Sequence, residues 1–173
     1  MLVRCSLGSL LVLASGCSSS AAPPRAPQAQ VDQTALCAEL AALVEAAPKN
    51  FADQRTDTAV RRDNQDGVAA GRAVSGTLGC MILRPDPAYP DDLFECDLAA
   101  AGPRAAADAV LTAWRPRVAA CPVVAGWHQD EGPGAAAAWQ YETDDNHQLE
   151  VELDVSGDEP ALVPVLRVRR PEI

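Results

Sequence analysis

The chain has 173 residues and a formal net charge of -10 at pH 7. An acidic chain repels phosphate backbones, so nucleic acid is not an expected partner. The sequence contains no phosphate-binding loop, no dinucleotide-binding fingerprint and no H-E-x-x-H motif, which removes the commonest signatures of nucleotide-dependent enzymes and zinc proteases.

The first sixteen residues are typical of a secretory leader that is removed after export. Arg4 supplies a positive charge, and a run of apolar and small residues follows from residue 5 to residue 15. This run is shorter than the roughly 20 apolar residues that cross a bilayer as a helix, and its length and flanks fit a signal peptide. The sequence therefore predicts export, with residues 1–16 as the signal peptide.

Small residues precede a cysteine at the end of this leader, in the segment Ala14-Ser15-Gly16-Cys17. The segment resembles the lipobox of bacterial lipoproteins, with Ala14 at the position where many lipoboxes carry Leu. The resemblance implies cleavage before Cys17, a diacylglycerol on the Cys17 sulfur and, often, a third acyl chain on the new amino group. Ser18 follows the cysteine, and in a cell with two membranes the resemblance then implies the outer membrane.

Residues 17–31 are predicted to form a lipidated tether rich in Ser, Ala and Pro. Two acyl chains anchor a protein stably, and the prolines favour an extended, spacer-like geometry. The alternative is ordinary cleavage after Ala22, which follows the small-x-small pattern Ser20-Ala21-Ala22 and would leave no lipid. The remaining residues, 32–173, are predicted to form a single domain of ordinary size.

Four cysteines lie in this predicted domain: Cys37, Cys80, Cys96 and Cys121. An even number of cysteines in an exported chain indicates two disulfides. A metal site is the alternative, but it needs closely spaced ligands, and the closest pair here is sixteen positions apart. The sequence therefore predicts two disulfides and no metal or cofactor.

The first predicted helix begins after Asp32, a suitable N-cap, and runs to about Ala47 before Pro48 ends it. Helical spacing predicts that one apolar face contains Leu36, Leu40, Leu43, Val44 and Ala47. Phe51 is expected to pack into the core just beyond. Residues 52–76 have no clear periodicity, and a short helix and an ordered loop remain open.

A β-hairpin is predicted from two strands, Thr77 to Leu83 and Leu93 to Leu98, joined by a turn-rich segment. If Leu83 pairs with Leu93, then Cys80 lies opposite Cys96 on an apolar face. This register favours a Cys80–Cys96 disulfide. The remaining pair, Cys37–Cys121, would tie the first helix to the end of the second, although four cysteines permit three pairings.

The second predicted helix opens at Gly102-Pro103, and Pro116 is expected to kink or end it. Its inner face is predicted to contain Ala107, Val110, Leu111 and Trp114. Later strands are predicted at residues 127–130, 135–143, 147–155 and 162–169, and Pro164 suggests an edge position for the last one. The sequence thus predicts an α+β fold in which two helices pack on one face of an antiparallel sheet of about five strands, stapled by disulfides.

Several segments contain residues of the types that hold metal ions. Residues 62–67 resemble the start of a calcium loop, but Ala73 stands where the loop needs Glu, which excludes a standard EF-hand. Asp144, Asp145 and His147 could ligate a metal, although consecutive acids here are more typical of a turn. The outward acids of the strand at 147–155 favour a solvated sheet face, with a cation-binding or partner-facing stripe as the alternative; they are Glu150, Glu152 and Asp154.

Candidates for catalysis or ligand binding are few. His128 and Asp130 could form a general-base pair, but no nucleophile elbow accompanies them, and Ser75 lacks its glycines. The tryptophans Trp114, Trp127 and Trp139 could line a ligand cleft, although bulk in the core is the expected role. No catalytic residue is therefore predicted.

These patterns predict a membrane-anchored exported lipoprotein with a non-catalytic binding or structural role in the cell envelope. The membrane would be contacted through lipid on Cys17, and an envelope protein is a possible partner. The alternatives are a small-molecule carrier with a Trp-lined cleft and, less favoured, a secreted hydrolase that uses His128 and Asp130.

Overall fold

Two α-helices lie in the part of the chain that the computed structural model describes, residues 31–84 and 91–171. They are α1 (Gln33–Ala46) and α2 (Arg104–Ala119), and short 3-10 turns follow them at Ala47–Lys49, Ala52–Gln54 and Pro122–Val124. The Asp32 carboxylate caps α1 by accepting hydrogen bonds from the backbone N–H groups of Thr34 and Ala35, as the sequence predicts. Within these ranges, neither α-helix combines the length and apolar character needed to cross a membrane.

The second helix does not end at Pro116, because α2 continues through it to Ala119. A proline inside a helix removes one backbone hydrogen bond. Trp114 and Val118 flank the proline and are both buried in the core, so packing of the last helical turn offsets the missing bond. The helical bonding resumes beyond it, since the Ala120 N–H donates to the Pro116 carbonyl oxygen at 3.1 Å.

Eight strands form one antiparallel sheet in the order β1-β2-β3-β4-β8-β7-β6-β5. The strands are β1 (Arg55–Arg62), β2 (Gln65–Ala70), β3 (Gly79–Leu83), β4 (Leu93–Asp97), β5 (His128–Glu131), β6 (Ala137–Glu142), β7 (Gln148–Ser156) and β8 (Val163–Arg169). The predicted α+β class with two helices, one antiparallel sheet and two disulfides is confirmed, but the expected number of about five strands is wrong.

Strands β1 and β2 come from the segment for which a short helix or a loop was expected. They are joined by a two-residue turn, in which Asp63 and Asn64 have φ values of 48° and 66°. Asp and Asn tolerate this left-handed conformation, and two such residues make the turn that matches the twist of a β-hairpin. The polar residues of this segment give no strand pattern, but Asp63 and Asn64 among them are typical of a hairpin turn.

Pro164 does not mark an edge strand, because β8 lies between β4 and β7. The Pro164 carbonyl oxygen accepts a hydrogen bond from the Leu98 N–H at 2.9 Å. The N and the carbonyl of a residue in a strand point to the same side, so the missing donor faces the end of β4, which stops at Asp97. The pairing of β8 with β7 does not need that donor.

The core lies between the helices and one face of the sheet, and it includes Leu36, Leu40, Leu43, Phe51, Ile82, Phe94, Leu111, Trp114, Trp139, Val151, Leu153, Leu166 and Val168. Both predicted disulfides are present. Cys37 is bonded to Cys121, which ties α1 to the end of α2. Cys80 is bonded to Cys96 in the predicted register between β3 and β4.

The sheet curls so strongly that its first hairpin returns to the middle of the sheet. In a flat sheet, the five spacings from β1 to β7 would separate the two strands by about 24 Å. Yet the Ser156 Oγ, at the end of β7, donates to the Asp63 carboxylate at 2.5 Å. Gly67 permits this curl, since a Cβ there would lie 2.4 Å from the Ile82 carbonyl oxygen.

Candidate functional site

The sheet face opposite the helices is strongly charged. Side chains alternate along a strand, so the residues between the core positions of β4, β7 and β8 point to this side. The register places Glu95 opposite Arg167, Arg167 opposite Glu152, and Glu150 opposite Arg169. We call this surface the charged face; its members are Glu95, Asp97, Glu150, Glu152, Asp154, Arg167 and Arg169.

Glu95 is the centre of the charged face and is only 1% exposed. It accepts hydrogen bonds at 2.7 Å from Arg62 Nη1 and from Arg167 Nε. Arg62 comes from the first hairpin and also donates to both Asp97 carboxylate oxygens, at 2.5 and 2.7 Å. The hydrogen bonds to Asp97 raise the pKa of Arg62 above its ordinary value, so this guanidinium stays charged and binds β1 to β4.

Arg167 links β8 to β7 in the same network. Its Nη1 donates to Asp154 at 2.9 Å, in addition to the bond from Nε to Glu95. Burial works against the charge, but the neighbouring carboxylates of Glu95, Glu152 and Asp154 together outweigh it and raise the pKa of Arg167. A buried cation that bonds two carboxylates in this way holds the two strands in one register.

Glu150 and Glu152 differ in how well they are paired. Glu150 is 5% exposed, and it accepts hydrogen bonds from Arg169 and, at 3.0 Å, from Gln140 Nε2. Glu152 forms an ion pair with Arg167 Nη1 at the longer distance of 3.6 Å. Burial raises the pKa of Glu152 despite the positive charges of Arg167 and Arg169. Glu152 therefore carries a charge that its surroundings compensate incompletely.

A cleft of about 240 Å³ lies between the first hairpin and the charged face. It is lined by Arg62, Asp63 and Gln65 from the hairpin and by Leu83, Leu93, Glu95, Glu152, Ser156, Arg167 and Arg169 from the sheet. The contact between Ser156 and Asp63 and the bonds of Arg62 hold the hairpin over it. We call this space the charged cleft.

His128 and Asp130 are paired as expected, but both side chains are exposed on an edge strand. The His128 Nε2 is 3.0 Å from the Asp130 Oδ1. Both residues are on β5, the edge strand, and the His128 side chain is 73% exposed. Neither of them lines the charged cleft. This placement favours a surface histidine over a general base.

Asp145 and His147 stabilise the turn between β6 and β7. Thr143 Oγ1 donates to Asp145 Oδ1 at 2.5 Å, and this hydrogen bond lowers the pKa of Asp145. Arg170 also bonds the Asp145 carboxylate, while His147 Nδ1 lies 2.9 Å from the Asp145 carbonyl oxygen. Across residues 31–84 and 91–171, no three His, Cys, Asp or Glu side chains are grouped so that they could hold a metal ion.

The three tryptophans do not surround a common cleft. Trp114 and Trp139 are buried in the core between the helices and the sheet. Trp127 is partly buried and stacks on Tyr141, with ring centroids 5.8 Å apart. Their positions favour the packing role over the ligand cleft, and the carrier alternative stays a prediction.

The expectation of a solvated acidic stripe on β7 is wrong, because Glu150 is buried and Glu152 is largely so. The sequence reasoning did not identify the partners that bury them, which are Arg62, Glu95, Arg167 and Arg169. One signal was present: if β7 and β8 pair as a hairpin, Glu152 and Glu150 fall opposite Arg167 and Arg169. The contribution of Arg62 depends on the curl of the sheet and has no local signal.

The chain matches no protein-family model, and neither a curated protein nor a solved structure is significantly similar to it. The predicted leader, tether and lipidation site at Cys17 lie outside the described residues. The function must therefore be argued from the chemistry of this chain alone.

Proposed function

We propose that this chain is an exported lipoprotein, anchored to a bacterial membrane through Cys17, with a non-catalytic binding role in the cell envelope. The observation that supports this best is the state of the four domain cysteines, all of which are joined in disulfides. Disulfides persist in oxidising compartments outside the cytoplasm, which agrees with a leader that directs export. Cys17 is then the cysteine left for acylation.

The anchor and the domain are connected by a segment suited to a spacer. Residues 18–30 are rich in Pro, Ser and Ala, and an extended chain of this length spans about 40 Å. The described part begins at Val31, whose side chain packs near Gly76 and Trp114. The domain would therefore stand away from the membrane, with its charged cleft free to meet an envelope component.

A binding role is preferred to catalysis because the charged groups are bonded to one another. The carboxylates of Glu95, Asp97 and Asp154 accept hydrogen bonds from arginines, and such groups are poor general bases. The exposed pair on β5, His128 and Asp130, lies outside the lining of the charged cleft. These features support recognition of a charged partner more than bond cleavage.

Intact-mass measurement of protein extracted from membranes tests the anchor. We expect a mature chain that starts at Cys17, carries acyl mass, and gains two hydrogens for each disulfide on reduction. The C17A variant should lose the acyl mass and leave the membrane fraction. The C5A variant is the matched control, because Cys5 lies in the predicted leader and its removal should not alter the mature mass.

A chain that starts at Pro23 without lipid would overturn the anchor and indicate a secreted protein. For the binding role, crosslinking in intact cells should join the wild-type protein to an envelope component and should lose that product in C17A. A product that is unchanged in C17A would show that the partner does not depend on the membrane position.

A further inference from the structure

One apolar residue on the side of the sheet without helices is as deeply buried as the core. Leu83 follows the core residue Ile82 on β3, so alternation turns its side chain toward the charged face. Leu83 is nevertheless only 2% exposed. It lines the charged cleft, over which the hairpin of β1 and β2 is held. The hairpin therefore covers Leu83 in the way that a helix covers the core.

The hairpin has little apolar attachment of its own. All residues of β1 and β2 are half-buried or exposed, whereas β4 and β8 in the middle of the sheet each contain several buried ones. Val68 and Ala70 contact the core only as partly buried side chains. Burial of hydrocarbon is the main stabilising term of a fold, and segments with little of it open at a lower free energy than the core. Local opening of the hairpin thus costs less than separation of the central strands.

Polar and charged contacts hold the tip of the hairpin. Arg62 donates to Glu95 at 2.7 Å and to both carboxylate oxygens of Asp97. At the turn, the Ser156 hydroxyl donates to the Asp63 carboxylate at 2.5 Å. The Arg62 side chain is 17% exposed and the Glu95 side chain 1%, so both lose most of their contact with water in this arrangement. Hydrogen bonds between such desolvated charges hold the tip against the sheet.

The base of the hairpin is attached separately from the tip. Arg55, the first residue of β1, bonds the Asp92 carboxylate. Beside it, the Gly71 N–H donates to the Gln54 carbonyl oxygen at 2.6 Å. The pairing of β1 with β2 shifts in register between Arg55 and Ala59, so the ladder is interrupted between base and tip. Such an irregularity disrupts the ladder locally and bends the strand, which supplies a hinge.

We propose that the hairpin of β1 and β2 is a lid on the charged cleft, held closed by the bonds of Arg62 and Asp63 and opened when those bonds are weakened. The tip moves away from the sheet while the base stays attached. Opening breaks the hydrogen bond of 2.9 Å from the Arg84 N–H to the Asp66 carbonyl oxygen, and it exposes Leu83. Salt stabilises the separated charges of the open state, so the lid should open more often as the salt concentration increases. An open lid gives a partner access to the charged groups that the closed lid covers.

The test follows two signals of the oxidised wild-type protein by NMR. Solvent paramagnetic relaxation by a neutral gadolinium chelate measures the accessibility of the Leu83 methyl groups, and amide hydrogen exchange measures opening at the Arg84 N–H. We expect both to increase as NaCl is raised from about 20 mM to about 500 mM. The methyl groups of Leu166, which is 1% exposed in the core, are the internal reference and should stay protected.

Two adjacent arginines provide a matched pair of variants. R62Q removes the cation at the tip, and the lid should open about tenfold more often at low salt, equal to about 1.4 kcal/mol. R61Q is the control, because the Arg61 side chain is 67% exposed and lies 3.7 Å from the exposed Asp66, and it should behave like the wild type. S156A removes one neutral donor from the turn and should increase opening by less than R62Q does.

Three results would overturn the inference. The first is an accessibility of Leu83 in the wild type that does not change with salt, and the second is equal opening in R62Q and R61Q. The third is exposure of Leu166 together with Leu83 during the salt titration, because the protein would then unfold as a whole. The titration of the wild type needs no substitution, so it decides the matter even if R62Q does not fold. None of these outcomes depends on the lipid anchor, which the mass measurement tests.

Discussion

On the face that α1 and α2 cover, β8 contributes Leu166 and Val168, each 1% exposed, whereas the alternate residues Arg167 and Arg169 belong to the charged face. The apolar face is stabilised by removal of hydrocarbon from water, which needs no exact partner. The charged face needs a specific partner for every desolvated group. Strand β8 therefore belongs to two different surfaces. Its apolar face specifies the fold, whereas its charged face is costly to bury and is suited to recognition of a partner.

The largest effect is expected from removing the disulfide that holds the helices over the apolar face. Cys37–Cys121 closes a loop with a sequence separation of 84, and Cys80–Cys96 one of 16. Chain-entropy arguments give a loss of about 4.5 kcal/mol for C37A/C121A and about 3 kcal/mol for C80A/C96A. Chemical denaturation measures both, and equal losses would contradict the loop-length argument.

A loss comparable with that of a disulfide is expected from a cavity in the apolar face. Leu166 is buried between β4 and β7, so L166A should lower the free energy of unfolding by about 2 to 5 kcal/mol. The control is L78A at a position that is 65% exposed, where a change within about 0.5 kcal/mol is expected. If L166A costs no more than L78A, the helix-covered face is not the main source of stability.

A substitution of Gly67 should release the hairpin of β1 and β2 from the charged face. The Cβ of G67A would collide with the Ile82 carbonyl oxygen, so we expect a loss of about 1 to 3 kcal/mol. Hydrogen exchange should show reduced protection of β1 and β2 with β7 and β8 unchanged. Gly79 has no atom within 4 Å of its Cβ position, and G79A should leave β1 and β2 protected. Uniform loss of protection in G67A would mean that the hairpin does not open separately.

The smallest change in the free energy of unfolding is expected for a substitution of Glu152, and this change is a gain in stability. Burial raises its pKa above the ordinary 4.5, so the folded protein binds this proton more tightly than the unfolded chain does. The ionised group thus destabilises the fold above the raised pKa, and the cost disappears as the pH falls through that value toward 4.5. E152Q should be slightly more stable than the wild type at pH 7.

Melting temperatures across this pH range check the prediction. The advantage of E152Q should shrink on acidification and vanish below the ordinary pKa of Glu, where both side chains are uncharged. An advantage that is constant with pH would show that the ionised carboxylate is not its cause.

The sequence predicted most of the apolar face and little of the charged one. Helical spacing identified Leu36, Leu40 and Leu43, because burial of hydrocarbon leaves a local periodic pattern. The Cys80–Cys96 pairing was favoured by the predicted register of β3 with β4. The hairpin of β1 and β2 was missed because its strands are polar and only half buried.

By itself, the sequence determined the α+β class and most of the apolar face, since the spacing of apolar residues within each segment indicates a helix or a strand. It favoured the disulfide pairing and predicted an exported, acylated chain. Only the tertiary structure decided that β8 is central and that the sheet curls at Gly67. It also decided that Arg62 reaches Glu95 across two intervening strands. The physical reason is that a charged side chain carries no local sign of its partner, because its burial depends on a contact between residues distant in the chain.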